Sequence, residues 1–84
     1  MQLISIELSS DAKTATYNFL INHALTIYQV ELLDSGGIRR LMCPAELEAL
    51  MLDALTRRVD AVKVLSSITW EMVDGHEVKL PITF

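Results

Sequence analysis

The sequence predicts an α+β fold of the order ββββαββ: a four-stranded antiparallel meander, one long α-helix packed on it, then a C-terminal β-hairpin. Three observations lead there. The first half of the chain alternates apolar and polar residues with a period of two. The stretch Pro44 to Lys63, PAELEALMLDALTRRVDAVK, carries a helical pattern. The last stretch, Ser66 to Phe84, is again rich in β-formers and centres on Asp74-Gly75.

The first strand sets Ile4, Ile6 and Leu8 against Ser5, Glu7 and Ser9, and the polar turn Ser10-Asp11-Ala12-Lys13 ends it. Thr14 to Leu33 reads two ways. As strands, Ala15, Tyr17, Phe19 and Ile21 alternate with Thr14, Thr16 and Asn18, break near Asn22-His23, and resume from Thr26. As a helix, Tyr17, Leu20, Ile21, Ala24, Tyr28 and Leu32 make a stripe, but Phe19, Ile27, Val30 and Leu33 fall off it. The wealth of Thr, Ile, Val, Tyr and Phe favours strands, because these side chains lose rotamer freedom in helices and pack well on a pleated surface.

Asp34-Ser35-Gly36-Gly37 is a turn and Ile38 to Cys43 a short fourth strand, with Glu31 expected opposite Arg40 and Leu33 opposite Ile38. Pairing through the three turns gathers Ile4, Ile6, Leu8, Ala15, Tyr17, Phe19, Ile21, Tyr28, Val30, Leu32 and Leu41 on one uncharged face. The helix is expected to cover it.

In that helix Pro44 suits the first turn and Glu46 faces the positive end of the macrodipole. Arg57, Arg58 and Lys63 lie near the other end, and Asp53 can pair with Arg57. Leu47, Leu50, Met51, Leu52, Ala54, Leu55, Val59, Ala61 and Val62 form a broad apolar arc. In the C-terminal hairpin, a two-residue Asp-Gly turn would set Trp70 and Met72 beside Lys79 and Glu77. A three-residue loop, Val73-Asp74-Gly75, instead groups Ile68, Trp70, Met72, Val78, Leu80 and Ile82. Pro81 has no N–H to give, which puts its strand at an edge.

The chain of 84 residues is one domain, and its apolar fraction of 51% supports a packed core. A net charge of −4, with Arg39-Arg40 and Arg57-Arg58 as its only basic doublets, lacks the footprint of nucleic-acid binding. No apolar run is long enough to span a membrane. The start MQLISIELSS has no signal-peptide pattern, and Cys43 is the single cysteine, so the expected compartment is the cytoplasm.

Chemistry-bearing groups are sparse. His23 and His76 have no metal-ligand spacing around them, and Asp74-Gly75-His76-Glu77 fits a solvated turn better than a ligand cluster. Cys43 precedes the helix, where a thiol can gain reactivity, but no activating partner stands near it in sequence. There is no phosphate loop and no nucleophile elbow. No cofactor is expected.

The binding signal lies elsewhere. The same registers turn Leu3, Leu20, Leu25, Ile27, Leu33, Ile38 and Met42 outward, an apolar set of the kind that marks an interface. Arg58 projects from the apolar arc of the helix and is a candidate interfacial cation. The candidate partner-binding residues are therefore Leu20, Leu25, Ile27, Leu33, Ile38, Met42 and Arg58. They point to a small acidic, non-enzymatic module that binds a protein partner, with no nucleic acid or membrane involved. The leading expectation is an inhibitor of a host or defence enzyme, of the kind carried by phages and mobile elements, plausibly a homodimer. The alternatives are a structural subunit of a larger assembly and a small enzyme using Cys43 or His76.

Overall fold

The computed structural model describes residues 1–54 and 61–84, the side chains of residues 53 and 54 excepted. Strands β1 (Gln2–Leu8), β2 (Thr14–Ile21), β3 (Ala24–Ser35) and β4 (Ile38–Met42) are followed by helices α1 (Ala45–Ala54) and α2 (Ala61–Val73) and a short β5 (Ile82–Thr83). The sheet order is β4-β3-β2-β1-β5, antiparallel throughout. The sheet curls into a half-barrel. The mixed α and β content is as expected; the four-stranded sheet, the single long helix and the C-terminal hairpin are not.

Residues 14–33 form two strands. Their turn is Asn22-His23, both at positive φ (48° and 64°), which matches the right-handed twist of the flanking strands. The β3–β4 turn is Gly36-Gly37, also at positive φ, and pairs Ser35 with Ile38. Leu33 therefore stands opposite Arg40 and Glu31 opposite Met42, two residues from the expected register. A shift of two keeps each side chain on its own face, so Leu32 and Leu41 still lie on the inner side, where they now stand opposite each other.

Strand β1 departs further. Its register shifts between Leu3 and Ser5, where Ile4 is inserted as a bulge. A bulge resets the alternation, so Leu3 is fully buried opposite Phe19 while Ile4 is exposed, the reverse of the expected placement.

Two helices stand where one was expected. Glu48 donates its backbone N–H to the carbonyl of Pro44, which opens α1. Leu47 and Met51 are buried, Leu50 is half-buried, and Leu52 is 60% exposed. Leu55, Val59 and the expected Asp53–Arg57 pair lie outside the described residues or side chains.

Helix α2 overturns the C-terminal hairpin. Ser66-Ser67-Ile68-Thr69-Trp70 looks like strand by residue type, yet Ala61, Leu65 and Thr69 recur every four residues and all are buried, with Trp70 beside them. Period outweighs propensity once a core is there to be covered. Asp74-Gly75 is the end of this helix, not a hairpin tip. Gly75 has φ of 82°, its N–H donates to the carbonyl of Met72, and the N–H of His76 donates to that of Glu71. These two bonds satisfy the last carbonyls of a helix closed by a left-handed glycine. The remaining chain runs to β5, which pairs with β1 at the sheet edge.

Both helices cover the inner face. Leu3, Ile6, Ala15, Tyr17, Phe19, Val30 and Leu32 meet Leu47, Met51, Ala61, Leu65, Trp70 and Phe84 in one core. Phe84 is held by its N–H to the Met1 carbonyl and lies 6.4 Å from the Phe19 ring. Among the described residues, one polar link crosses this core. Thr69 Oγ1 donates to the Leu65 carbonyl at 2.6 Å, so its lone pair receives the Tyr17 O–H, also at 2.6 Å.

That link generates two predictions. Thr69→Val leaves a buried phenol without an acceptor and is expected to cost about 1–3 kcal/mol. Tyr17→Phe removes only one neutral hydrogen bond, about 1 kcal/mol. Urea titrations should then show the double variant losing less than the sum of the singles; strict additivity would refute the coupling. Burial pushes the Tyr17 phenol from 10.0 up to about 12. The unfolded chain releases this proton first, so stability is complete below pH 10 and is lost as pH rises towards 12. Tyr17→Phe should remove that part of the alkaline decline.

Candidate protein-binding face

With one sheet face filled by the core, the opposite face presents the side chains left over. Leu25 is 64% exposed, Ile27 62%, Ile38 68%, Met42 51% and Leu33 37%, while Leu20 is half-buried. The pairing divides these residues into two groups. Leu20 stands opposite Leu25, with Ile27 next along β3, at the β2–β3 turn. Leu33, Ile38 and Met42 lie at the β3–β4 end. Between the groups this face of β3 carries Gln29 and Glu31, paired with Thr16 and Thr14. Ile27 and Leu33 are thus roughly 20 Å apart at the usual rise per residue, and the apolar set is not one continuous patch. Arg58 lies outside the described residues. Ile4 is an exposed apolar residue that strict alternation missed, because nothing in the sequence marks its bulge.

Polar groups gather at the margin where β4 meets the end of α2. Arg39 donates from both terminal nitrogens to the two carboxylate oxygens of Asp74, each at 2.8 Å. Its Nε reaches Asp34 at 3.4 Å, and its guanidinium carbon lies 4.9 Å from the Trp70 ring centre. The forked bond raises the Arg39 pKa and holds the Asp74 carboxyl below its usual 3.8. This cluster clamps the sheet edge to the helix; it leaves Arg39 committed.

A cleft of about 600 Å³ opens between the β1–β2 loop and α2, lined by Asp11, Lys13, Glu31, Asp34, Trp70 and Val73 among others. The loop is held by Ser9 Oγ, which donates to Asp11 and accepts the N–H groups of Lys13 and Thr14. The Ser9 bond keeps the Asp11 carboxyl below its usual value.

The residues considered for chemistry take structural places. Cys43 is half-buried ahead of α1; burial, and secondly the charge of Glu48, push its thiol up from 9.0, opposite to what activates a nucleophile. His23 sits in the β2–β3 turn, and His76 follows the α2 cap. Among the described residues no group of three or more His, Cys, Asp or Glu is placed to hold a metal, and no helix is long and apolar enough to cross a membrane.

No protein-family model matches this chain. Among curated proteins, it is similar to "Cysteine protease immunity 1" of Escherichia coli O1:K1:H7, 22% identical over 82 residues that cover 98% of this chain and 85% of that protein.

The Arg39 cluster is readable, because Trp70 is the single tryptophan. Asp74 keeps its charge below the usual carboxylate range, so the fork persists as the pH drops past 3.8 and is lost only as it falls through the depressed value. An acid titration should show a Trp70 fluorescence step there, and Asp74→Asn should abolish it. An unchanged step in that variant would show that the fluorescence reports another group.

Proposed function

We propose that this chain is a small non-enzymatic inhibitor that works by occupying a protein enzyme, and that the enzyme is a cysteine protease. The observation that carries this reading is the end-to-end similarity to an immunity protein, spanning 98% of this chain and 85% of the relative. The exposed side chains on the outer sheet face support it. Leu20, Leu25, Ile27, Leu33, Ile38 and Met42 present apolar surface on hydrogen-bonded strands, a preorganised platform for a partner. Arg58, outside the described residues, remains a proposed contact. The compartment that fits is the cytoplasm, where the free thiol of Cys43 stays reduced.

The test uses the full chain and a thiol-directed activity probe in lysate of the source cells. Added chain should suppress labelling of one protease, and capture on immobilised chain should recover that same protein. Ile27→Glu and Ile38→Glu should weaken both effects while the circular dichroism of the chain is unchanged. A labelling profile untouched by excess chain, with a captured protein that carries no reactive cysteine, would overturn the proposal.

A further inference from the structure

Strand β4 is an open edge of the sheet. Among the described residues it pairs with β3 alone, and Ile38–Met42 make no other backbone hydrogen bond. Its side chains divide by face. Arg39 and Leu41 turn inward, where Arg39 is bound by Asp74 and Asp34. Ile38, Arg40 and Met42 turn outward, and all three are exposed. Arg40 stands opposite Leu33 and has no ion pair among the described residues. Beside it an open cleft of about 400 Å³ is lined by Leu33, Asp34, Ser35, Ile38 and Arg40. A chain of net charge −4 thus offers, along one free strand edge, a single uncommitted cation between two apolar side chains.

We propose that β4 is a docking edge that takes an extended acidic segment of the protein partner as a sixth strand, with an apolar–acidic–apolar order on its outward face. Backbone hydrogen bonds supply affinity in such an addition, and alternate side chains supply specificity. The acidic residue pairs across the strands with Arg40, and its apolar neighbours lie over Ile38 and Met42. A charge on an edge strand ordinarily blocks pairing with another chain; against an acidic strand the same charge selects. A second copy of this chain fits poorly. Antiparallel pairing of β4 with itself over its full length sets Arg40 against its own copy, and like charges directly opposite are destabilising. The inference rests on the inhibitor reading for the partner's identity as an enzyme, not for the chemistry of the edge.

The probes are two seven-residue peptides, Thr-Val-Thr-Glu-Thr-Val-Thr and its counterpart with lysine at the centre, which set valine, the charge and valine on one face of a strand; each is titrated into the full chain and followed by amide NMR shifts. The glutamate peptide should move the amides of residues 38–42 and bind roughly tenfold tighter than its lysine counterpart, the scale of 1.4 kcal/mol. Arg40→Gln should erase the preference and Arg40→Glu should reverse it. Equal binding of both peptides, binding by neither, shifts centred elsewhere, or a dimer in light scattering whose own β4 amides are protected would each overturn the proposal. If the protease captured from lysate binds Arg40→Glu as tightly as the parent chain, the docking edge falls and the inhibitor reading stands. If no protease is engaged while the peptide preference holds, the inhibitor reading falls and the edge stands.

Discussion

The bond between Tyr17 and Thr69 fixes how sheet and helix meet. Both side chains are fully buried, so neither hydroxyl has water to fall back on. Thr69 gives its proton to the Leu65 carbonyl within its own helix and can only accept from Tyr17. Each group is satisfied only when α2 sits at one rotation and one height over β2. Leu65 and Ala61, one and two turns back, then point into the same core. The aromatic cluster around Phe19 follows, with Tyr17, Tyr28 and Phe84 all about 6 Å from its ring. A buried polar link discriminates among packings in a way that apolar contacts do not, because mispairing leaves a desolvated hydroxyl.

The end of α2 is pinned a second time. Gly75 closes the helix, which leaves Asp74 at its margin to take the fork of Arg39 from β4. The guanidinium also lies over Trp70, so strand, helix end and indole share one contact. The consequence for binding is a division of labour between adjacent arginines. Arg39 belongs to the fold, whereas Arg40, one residue on and facing the other way, belongs to the surface. Edge-strand alternation thus converts one basic doublet into a clamp and a candidate recognition group.

Much of the sheet was legible in sequence. Alternation with uncharged inner positions in β2 and in β3 up to Leu32, and glycine in the β3–β4 turn, set which residues share a face, because a slip of one would bury polar groups. Slips of two leave that pattern intact, which is why the partner of Ile38 was misplaced while its face was not. The bulge at Ile4 left no mark, since Leu3 and Ile4 are equally apolar. On β2, β3 and β4 the outward apolar residues were those the alternation gave, whereas Leu3 and Ile4 of β1 were exchanged by the bulge; the division into two groups emerged only when the register placed Gln29 and Glu31 between them.

The C-terminal third shows where sequence ran out. Thr69 and Trp70 carry β propensity, and Asp74-Gly75 serves a hairpin and a helix cap alike, since both need one residue at positive φ. Local chemistry was degenerate there, and burial of Ala61, Leu65 and Thr69 against the sheet decided it. By itself the sequence determined the mixed α and β character and, apart from the bulged start of β1, the strand pairing through Met42 to within a shift of two and which side chains the sheet turns outward. Only the tertiary structure decided that the last apolar run is a helix and that β5 pairs with the start of β1 at the far edge. It also set Arg39 to serve the core side while Arg40 stays outside. Those outcomes depend on contacts between residues 35 to 81 positions apart, such as Arg39 with Asp74 and Gln2 with Thr83, and no local window contains both partners.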